Sequence, residues 1–200
     1  MQGLADGRAD HVEDERAEQL AGDRGDYGGA YQATTYLIQL GHRHIAHIAG
    51  PRGLSTTRDR LRGYRDAMEH AGLKVEEELV LHGPYTEQFG ASTFPYLARA
   101  GQPPTAAFVG SDIVAVGTLG AAELHGLRIP KDLSVVGCDG IRVGEWLRPK
   151  LTTLQQPITD LGRTALETVQ NRIENPDGAR VAKTFLLHLV VRGSAVAPRH

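Results

Sequence analysis

The chain has 200 residues, 40% hydrophobic and 23% charged, the size and balance of an ordinary globular domain with a core of its own. A formal net charge of −2 with no dense run of Lys or Arg leaves no footprint for a nucleic-acid backbone, and a single cysteine, Cys138, excludes an internal disulfide. No apolar run approaches the ~18 residues of a membrane span and the first residues carry no signal-peptide pattern, so the expectation is a cytoplasmic protein without membrane contact.

Residues 1–25 carry Asp6, Asp10, Glu13, Asp14, Glu15, Glu18 and Asp23 among Ala, Gly and Arg, and read as a solvated helix or disordered acidic tail without a site. From Tyr27 to Cys138 a helical segment, a glycine stop, a short connection and a β-rich run follow one another repeatedly. The stops are Gly41, Gly72, Gly101 and Gly126. The runs after them are 45–49, 79–82, 106–109 and 133–138, which predicts α/β architecture: a parallel sheet flanked by helices on both faces. Asp112 stands just before a predicted helix over 113–125, where an acid caps free N–H groups.

The stretch 126–156 is the most informative. Gly126 ends a helix, Pro130 blocks its continuation, and Leu133-Ser-Val-Val-Gly-Cys138 is a short apolar run suited to a buried parallel strand. Asp139 then emerges at the carboxyl end of that strand, where open α/β sheets hold their ligands. Beyond it the rhythm changes: 152–155 reads as a strand, 158–173 as an amphipathic helix with Ile158, Leu161, Ala165, Val169 and Ile173 on one stripe, and 184–191 as a final strand after the turn Asn175-Pro-Asp-Gly178.

The words LGHRHIAHIAGP (40–51), RDRLRGYRDAMEHAGL (58–73), PPTAAFVGSDIVAVGTLGAAELHGLRIPKDLSVVGCDG (103–140), PKLTTLQQP (149–157) and LVVRGS (189–194) resemble, in collinear order, the lactose-repressor-type (LacI/GalR) transcriptional regulators. The resemblance spans roughly residues 26–196. It implies an effector-binding core of the periplasmic-binding-protein type, in which two subdomains close on a sugar or similar metabolite. It further implies that 26–151 form a nearly complete C-terminal subdomain, and that 152–200 carry a crossover strand, a helix and a final strand shared with a partial N-terminal one. The segments that precede Asp26 in the family, among them the helix-turn-helix that reads an operator, have no match in this chain, so the expectation is a sensor truncated at its N-terminus.

Carried over residue by residue, the resemblance implies a ligand set of Arg60, Asp139, Ser111, Tyr85 and Gln156. The planar fork of Arg60 suits paired hydroxyls or a carboxylate, although without the resemblance it reads as a surface arginine among Arg58, Arg62 and Arg65. Asp139 can accept from adjacent hydroxyls, or simply cap its loop. Ser111 supplies a small polar side chain, Tyr85 either packs on the effector or belongs to the core, and Gln156 either bonds a hydroxyl or hinges the chain. Trp146 reads as core or as a contact of the homodimer that the family forms through this subdomain.

Other chemistries fit less well. His42, His44 and His47 form H-x-H-x2-H, yet no Cys or nearby carboxylate completes a metal set. Serines at 55, 92, 111, 134 and 194 come without a G-x-S-x-G elbow, and the glycines near 25–29 follow no strand, so neither a hydrolase triad nor a dinucleotide cofactor is indicated. The expected function is thus a non-catalytic effector sensor without a cofactor; the alternatives are a transport-type sugar-binding protein or an enzyme on a similar frame.

Overall fold

A computed structural model of the chain describes residues 25–99, 101–176, 178 and 183–199. The acidic tail lies outside the described residues apart from Gly25, as does Asp177 of the predicted 175–178 turn. In chain order, α1 (Asp26–Gln39) leads to β1 (Ile45–Ala49), α2 (Ser55–His70), a 3-10 turn (Glu77–Leu79) and β2 (Val80–His82). Then come α3 (Glu87–Arg99), β3 (Ala106–Val109), α4 (Asp112–Leu124), β4 (Ser134–Asp139), the short α5 (Val143–Trp146), β5 (Thr152–Gln155), α6 (Ile158–Glu174) and β6 (His188–Val190).

The strands form one sheet in the order β2-β1-β3-β4-β5-β6. The first five are parallel, and β6 runs antiparallel along β5 with Leu154 opposite Leu189. The parallel sheet expected from βα alternation is therefore present with one antiparallel edge strand. That edge strand is shorter than the 184–191 run, because only His188–Val190 pair with β5.

Alternation along the strands divides the core. Ile45, Phe108, Val136 and Leu154 point to one face, where Ala33 and Leu37 of α1 and Tyr64 and Met68 of α2 cover them. Ile48, Val109 and Val135 point to the other face, under Leu97 of α3 and Val114 and Leu119 of α4. Both faces of β1, β3 and β4 are thus dry, which is why these runs are mostly apolar, with His47 in β1 and Ser134 in β4 as buried polar exceptions. The α3–α4 pair approaches closely because Gly117 leaves room: a Cβ there would stand 1.9 Å from the Glu87 carbonyl oxygen. Thr86 starts α3 by accepting a hydrogen bond from the Phe89 amide at 3.2 Å.

β5 and β6 join the same sheet as β1–β4, and the chain after β6 is stitched to it. The Ser194 hydroxyl donates to the Val135 carbonyl at 2.6 Å and accepts from the Thr152 amide at 2.8 Å. α6 differs from every other long helix: it covers the predicted span, yet none of its residues is buried, and Ile158, Leu166, Val169 and Ile173 face solvent. Most of its apolar stripe is exposed, with Leu161 alone half-buried beside the head of α1 and α2.

What positions a site is the strand order. β2 lies on one side of β1 and β3 on the other, so the direction of winding reverses between β1 and β3. Connections leave the sheet in opposite directions there, and a crevice opens beyond the carboxyl ends of the strands.

Candidate functional site

Arg60 occupies that crevice. It rises from α2 with 6% of its side chain exposed, which removes the surface-arginine reading. One Nη donates to the carbonyl of Gly110 just beyond β3. Nε donates to Oδ1 of Asp26 at 2.7 Å, and the other Nη stands 2.6 Å from the same oxygen and 3.6 Å from Oδ1 of Asp139. Burial works against the cation, but neighbouring groups outweigh it and raise the guanidinium's pKa above its ordinary value. Cys138 is among those neighbours. Its own thiol is pushed up by burial and stays neutral at pH 7, so the carboxylates of Asp26 and Asp139 are what hold Arg60 charged.

Asp139 is the last residue of β4 and the hub of the set. Oδ2 accepts from the Ser111 hydroxyl at 2.7 Å, and Oδ1 from the Gln156 side-chain amide at 2.8 Å. Its φ of 125° lies in a region that non-glycine residues avoid, so the surrounding bonds must hold it there. One of those bonds is the Gln156 amide on the Asp139 carbonyl at 3.3 Å, which extends the β4–β5 ladder past its end.

Asp112 departs from expectation. It is the first residue of α4 instead of its cap, Ser111 holds the capping position, and no side-chain cap bond forms. The fully buried Asp112 carboxylate turns inward: Oδ2 accepts from the amides of Gly140 at 2.8 Å and Ile141 at 2.9 Å, and Oδ1 from the Thr153 hydroxyl at 2.6 Å. Burial pushes its carboxyl above the usual range, and the Thr153 hydroxyl and the two amides pull it back. The acid therefore braces the loop after β4 from behind. Gly137 makes this possible, since a Cβ there would meet Asp112 at 2.2 Å.

Tyr85 lies beside this network rather than in it. Its ring sits over Gly50 at the end of β1 and packs on the core, and its hydroxyl shares a hydrogen bond with Thr57 of α2 at 3.0 Å. Arg60, Asp139, Ser111 and Gln156 thus meet in one hydrogen-bonded constellation, with Tyr85 on its flank. Sequence reasoning missed Asp26, a direct partner of Arg60. The only available signal was an acid at the head of an amphipathic helix, which is an ordinary helix-start residue.

A hollow of about 290 Å³ adjoins the constellation, with Asp26, Thr56, Arg60, Gln156, Leu161 and Lys183 on its walls. A second, larger groove of about 580 Å³ lies elsewhere, between α4 and residues 146–149. Trp146 forms part of its wall with 68% of its surface exposed, so it is not a core residue. The three histidines of the H-x-H-x2-H run diverge: His42 bonds Thr105 and the Val196 carbonyl, His44 bonds Glu76, and His47 bonds the Phe108 carbonyl.

Residues 34–195 match the periplasmic binding protein-like domain. The HTH-type transcriptional repressor PurR of Escherichia coli O1:K1 / APEC is 40% identical over 149 residues, 74% of this chain and 44% of that protein. The HTH-type transcriptional repressor CytR of Escherichia coli K12 is 34% identical over 168 residues, 84% and 49%. The chain therefore spans about half the length of the curated relatives it matches.

A LacI-type regulator of Bacillus cereus subsp. cytotoxis NVH 391-98 superimposes with a TM-score of 0.85 at 31% identity, over 88% of this chain and 62% of that one. The regulator CelR, solved as its cellobiose complex, superimposes with a TM-score of 0.80 at 36% identity, over 85% and 52%. With a domain match over most of its length and LacI-type regulators among both its sequence relatives and its structural neighbours, this chain belongs to the LacI family of transcriptional regulators, within their periplasmic-binding-protein-like effector domain.

Proposed function

We propose that the constellation around Arg60 and Asp139 binds a small polar effector, a sugar or nucleoside, and that the chain is the sensing part of a transcriptional regulator. The observation that carries this reading is the buried Arg60, held charged at the reversal of strand order. Burying a cation costs several kcal/mol unless it is paired, and apolar residues of similar volume would stabilise the core more cheaply. The adjacent hollow opens onto Arg60, Asp26 and Gln156. CelR in its cellobiose complex supports a saccharide.

In this reading 26–151 form most of one lobe, and 152–200 carry the crossover to a second lobe, whose contact face is the uncovered stripe of α6. Closure of the lobes on the effector changes how paired DNA-reading segments sit on an operator, as the HTH-type relatives suggest. The role is non-catalytic and cytoplasmic, and no helix among the described residues is long and apolar enough to cross a membrane. The exposed Trp146 and the groove between α4 and residues 146–149 are assigned to a homodimer contact.

A thermal-shift screen of the chain against sugars and nucleosides tests the reading, with Arg60→Ala and Asp139→Ala as controls. A ligand present at a hundredfold excess over its Kd stabilises by about 2.7 kcal/mol, and both variants should lose that shift. A ligand whose shift survives both substitutions binds elsewhere, and the assignment of this site then fails.

A further inference from the structure

We infer that Asp112 is a positioning residue of the strand-end site: its buried carboxylate holds the loop after β4 in the left-handed conformation that turns Asp139 toward Arg60, Ser111 and Gln156. The inference rests on the effector reading above and adds a residue that acts on the site without reaching its surface.

Asp139 has a φ of 125° and Gly140 a φ of 75°, so two successive residues stand in the left-handed half of the backbone map. Only the second is a glycine. An aspartate in that region is unfavourable unless its surroundings fix it there. The turn makes the amides of Gly140 and Ile141 converge on a single oxygen, Oδ2 of Asp112, at 2.8 and 2.9 Å. Successive amides aimed at one point form a seat for an anion, and here the anion belongs to the chain itself. The loop is also closed against β5, where a Cβ on Gly140 would stand 2.7 Å from Cγ of Gln155.

Nothing about the start of α4 calls for this acid, since its side chain makes no cap bond. Its three hydrogen bonds come from neutral donors, the two amides and the Thr153 hydroxyl. A fully buried carboxylate is costly to desolvate, and the bonds that offset the cost all lie in the loop and in β5. Without the carboxylate both amides lose their partner, and Asp139 is free to return to an ordinary φ. Because φ turns the side chain about the N–Cα bond, that return carries its carboxylate away from Ser111 at 2.7 Å, Gln156 at 2.8 Å and Arg60 at 3.6 Å. Asp112 therefore acts on the site through the backbone of Asp139.

Cys138 gives a reading that needs no ligand. It is the single cysteine, fully buried directly before Asp139, and burial pushes its thiol pKa up, so it reacts only when the end of β4 opens. Labelling with an aromatic disulfide reagent at increasing urea separates local from global opening, because only global opening follows the full denaturant slope. Asp112→Ala should label on the order of tenfold faster than the unmodified chain, by a route insensitive to low urea. Asp112→Asn should recover most of the protection: its side-chain oxygen can take both amides, while the Thr153 hydroxyl turns to accept from its NH2 group. Thr153→Val, which removes one bond to Asp112, should show a smaller rise of the same kind, and it decides the matter should Asp112→Ala fail to fold. Labelling that follows global unfolding alone, or an Asn variant no better protected than Ala, makes Asp112 a stability residue only and overturns the inference.

Isothermal titration of cellobiose, ribose and adenosine carries the test to the site. A compound that binds the unmodified chain should bind Asp112→Ala on the order of tenfold more weakly, with most of the loss recovered in Asp112→Asn. Undiminished affinity in Asp112→Ala overturns the inference and leaves the effector reading standing. Local opening at Cys138 together with no binding by any sugar or nucleoside of the wider panel sustains the role of Asp112 and removes the effector reading.

Discussion

His47 shows how a single residue ties the fold to solution conditions. It is fully buried in β1, stacked between Phe108 at 4.9 Å and Tyr64 at 5.1 Å, with Nδ1 bonded to the Phe108 carbonyl and Nε2 unpartnered. Burial, reinforced by the positive neighbours His82, Arg60 and Arg65, lowers its pKa to about 4 from 6.5. A folded-state pKa below the unfolded one means that only the unfolded chain takes up a proton between those values. The stability His47 confers is therefore complete above pH 6.5 and is lost as pH falls toward 4, by roughly 3 kcal/mol in all. Urea midpoints measured across this window should fall steadily, and His47→Phe, which keeps the ring stack and removes the titrating group, should flatten the slope. An unchanged slope in the variant would assign the acid limb to other groups.

At the level of elements, the molecule depends on close helix contacts on both faces of the sheet. α3 and α4 meet where Gly117 faces the Glu87 carbonyl and the Ala91 amide. Alanine normally improves a helix interior by up to about 1 kcal/mol over glycine. Gly117→Ala should instead destabilise by roughly 3 kcal/mol, because the added methyl overlaps backbone that can move only if the two helices separate. Gly120→Ala, three residues along the same helix with nothing within 4 Å of its added methyl, should be neutral or stabilising. Thermal unfolding of the two variants side by side separates packing from propensity, and equal behaviour would show that the helices are not held at this distance. α6 illustrates the opposite case: its pattern is fully helical and amphipathic, yet it contributes no buried residue.

For the whole molecule, the surface is uneven. Trp146 and Leu124 are strongly exposed on the side of the sheet where α4 and residues 146–149 enclose the larger groove. In a two-fold contact each copy presents the same patch to the other, so an aromatic near its centre contributes on both sides. Sedimentation of the chain should report a dimer. Trp146→Glu, which sets two like charges against each other, should weaken it by roughly a hundredfold. A dimer indifferent to this substitution would place the contact elsewhere, with the stripe of α6 as the next surface to alter.

Much of this was legible in the residues themselves. Runs such as Ala106–Val109, and Ile45–Ala49 apart from His47, are apolar because both faces are covered, and Gly41, Gly72 and Gly126 have the positive φ that a helix stop requires. Those signals are local, so the order of helices and strands could be read without coordinates. The resemblance to a known family likewise pointed to Arg60, Asp139, Ser111 and Gln156, which the fold brings together around Asp139. Their partners were not legible. Asp26 is 34 residues from Arg60 and Asp112 is 41 from Thr153, and nothing in either neighbourhood distinguishes a charge partner or a loop brace from an ordinary helix-start acid. The antiparallel direction of β6 and the exposure of α6 were equally hidden, since a strand run does not encode its neighbour and an amphipathic stripe does not encode what covers it. Local periodicity determined the elements; the tertiary structure alone decided which carboxylate each donor meets, because ion pairing depends on distances that the fold sets across the sheet.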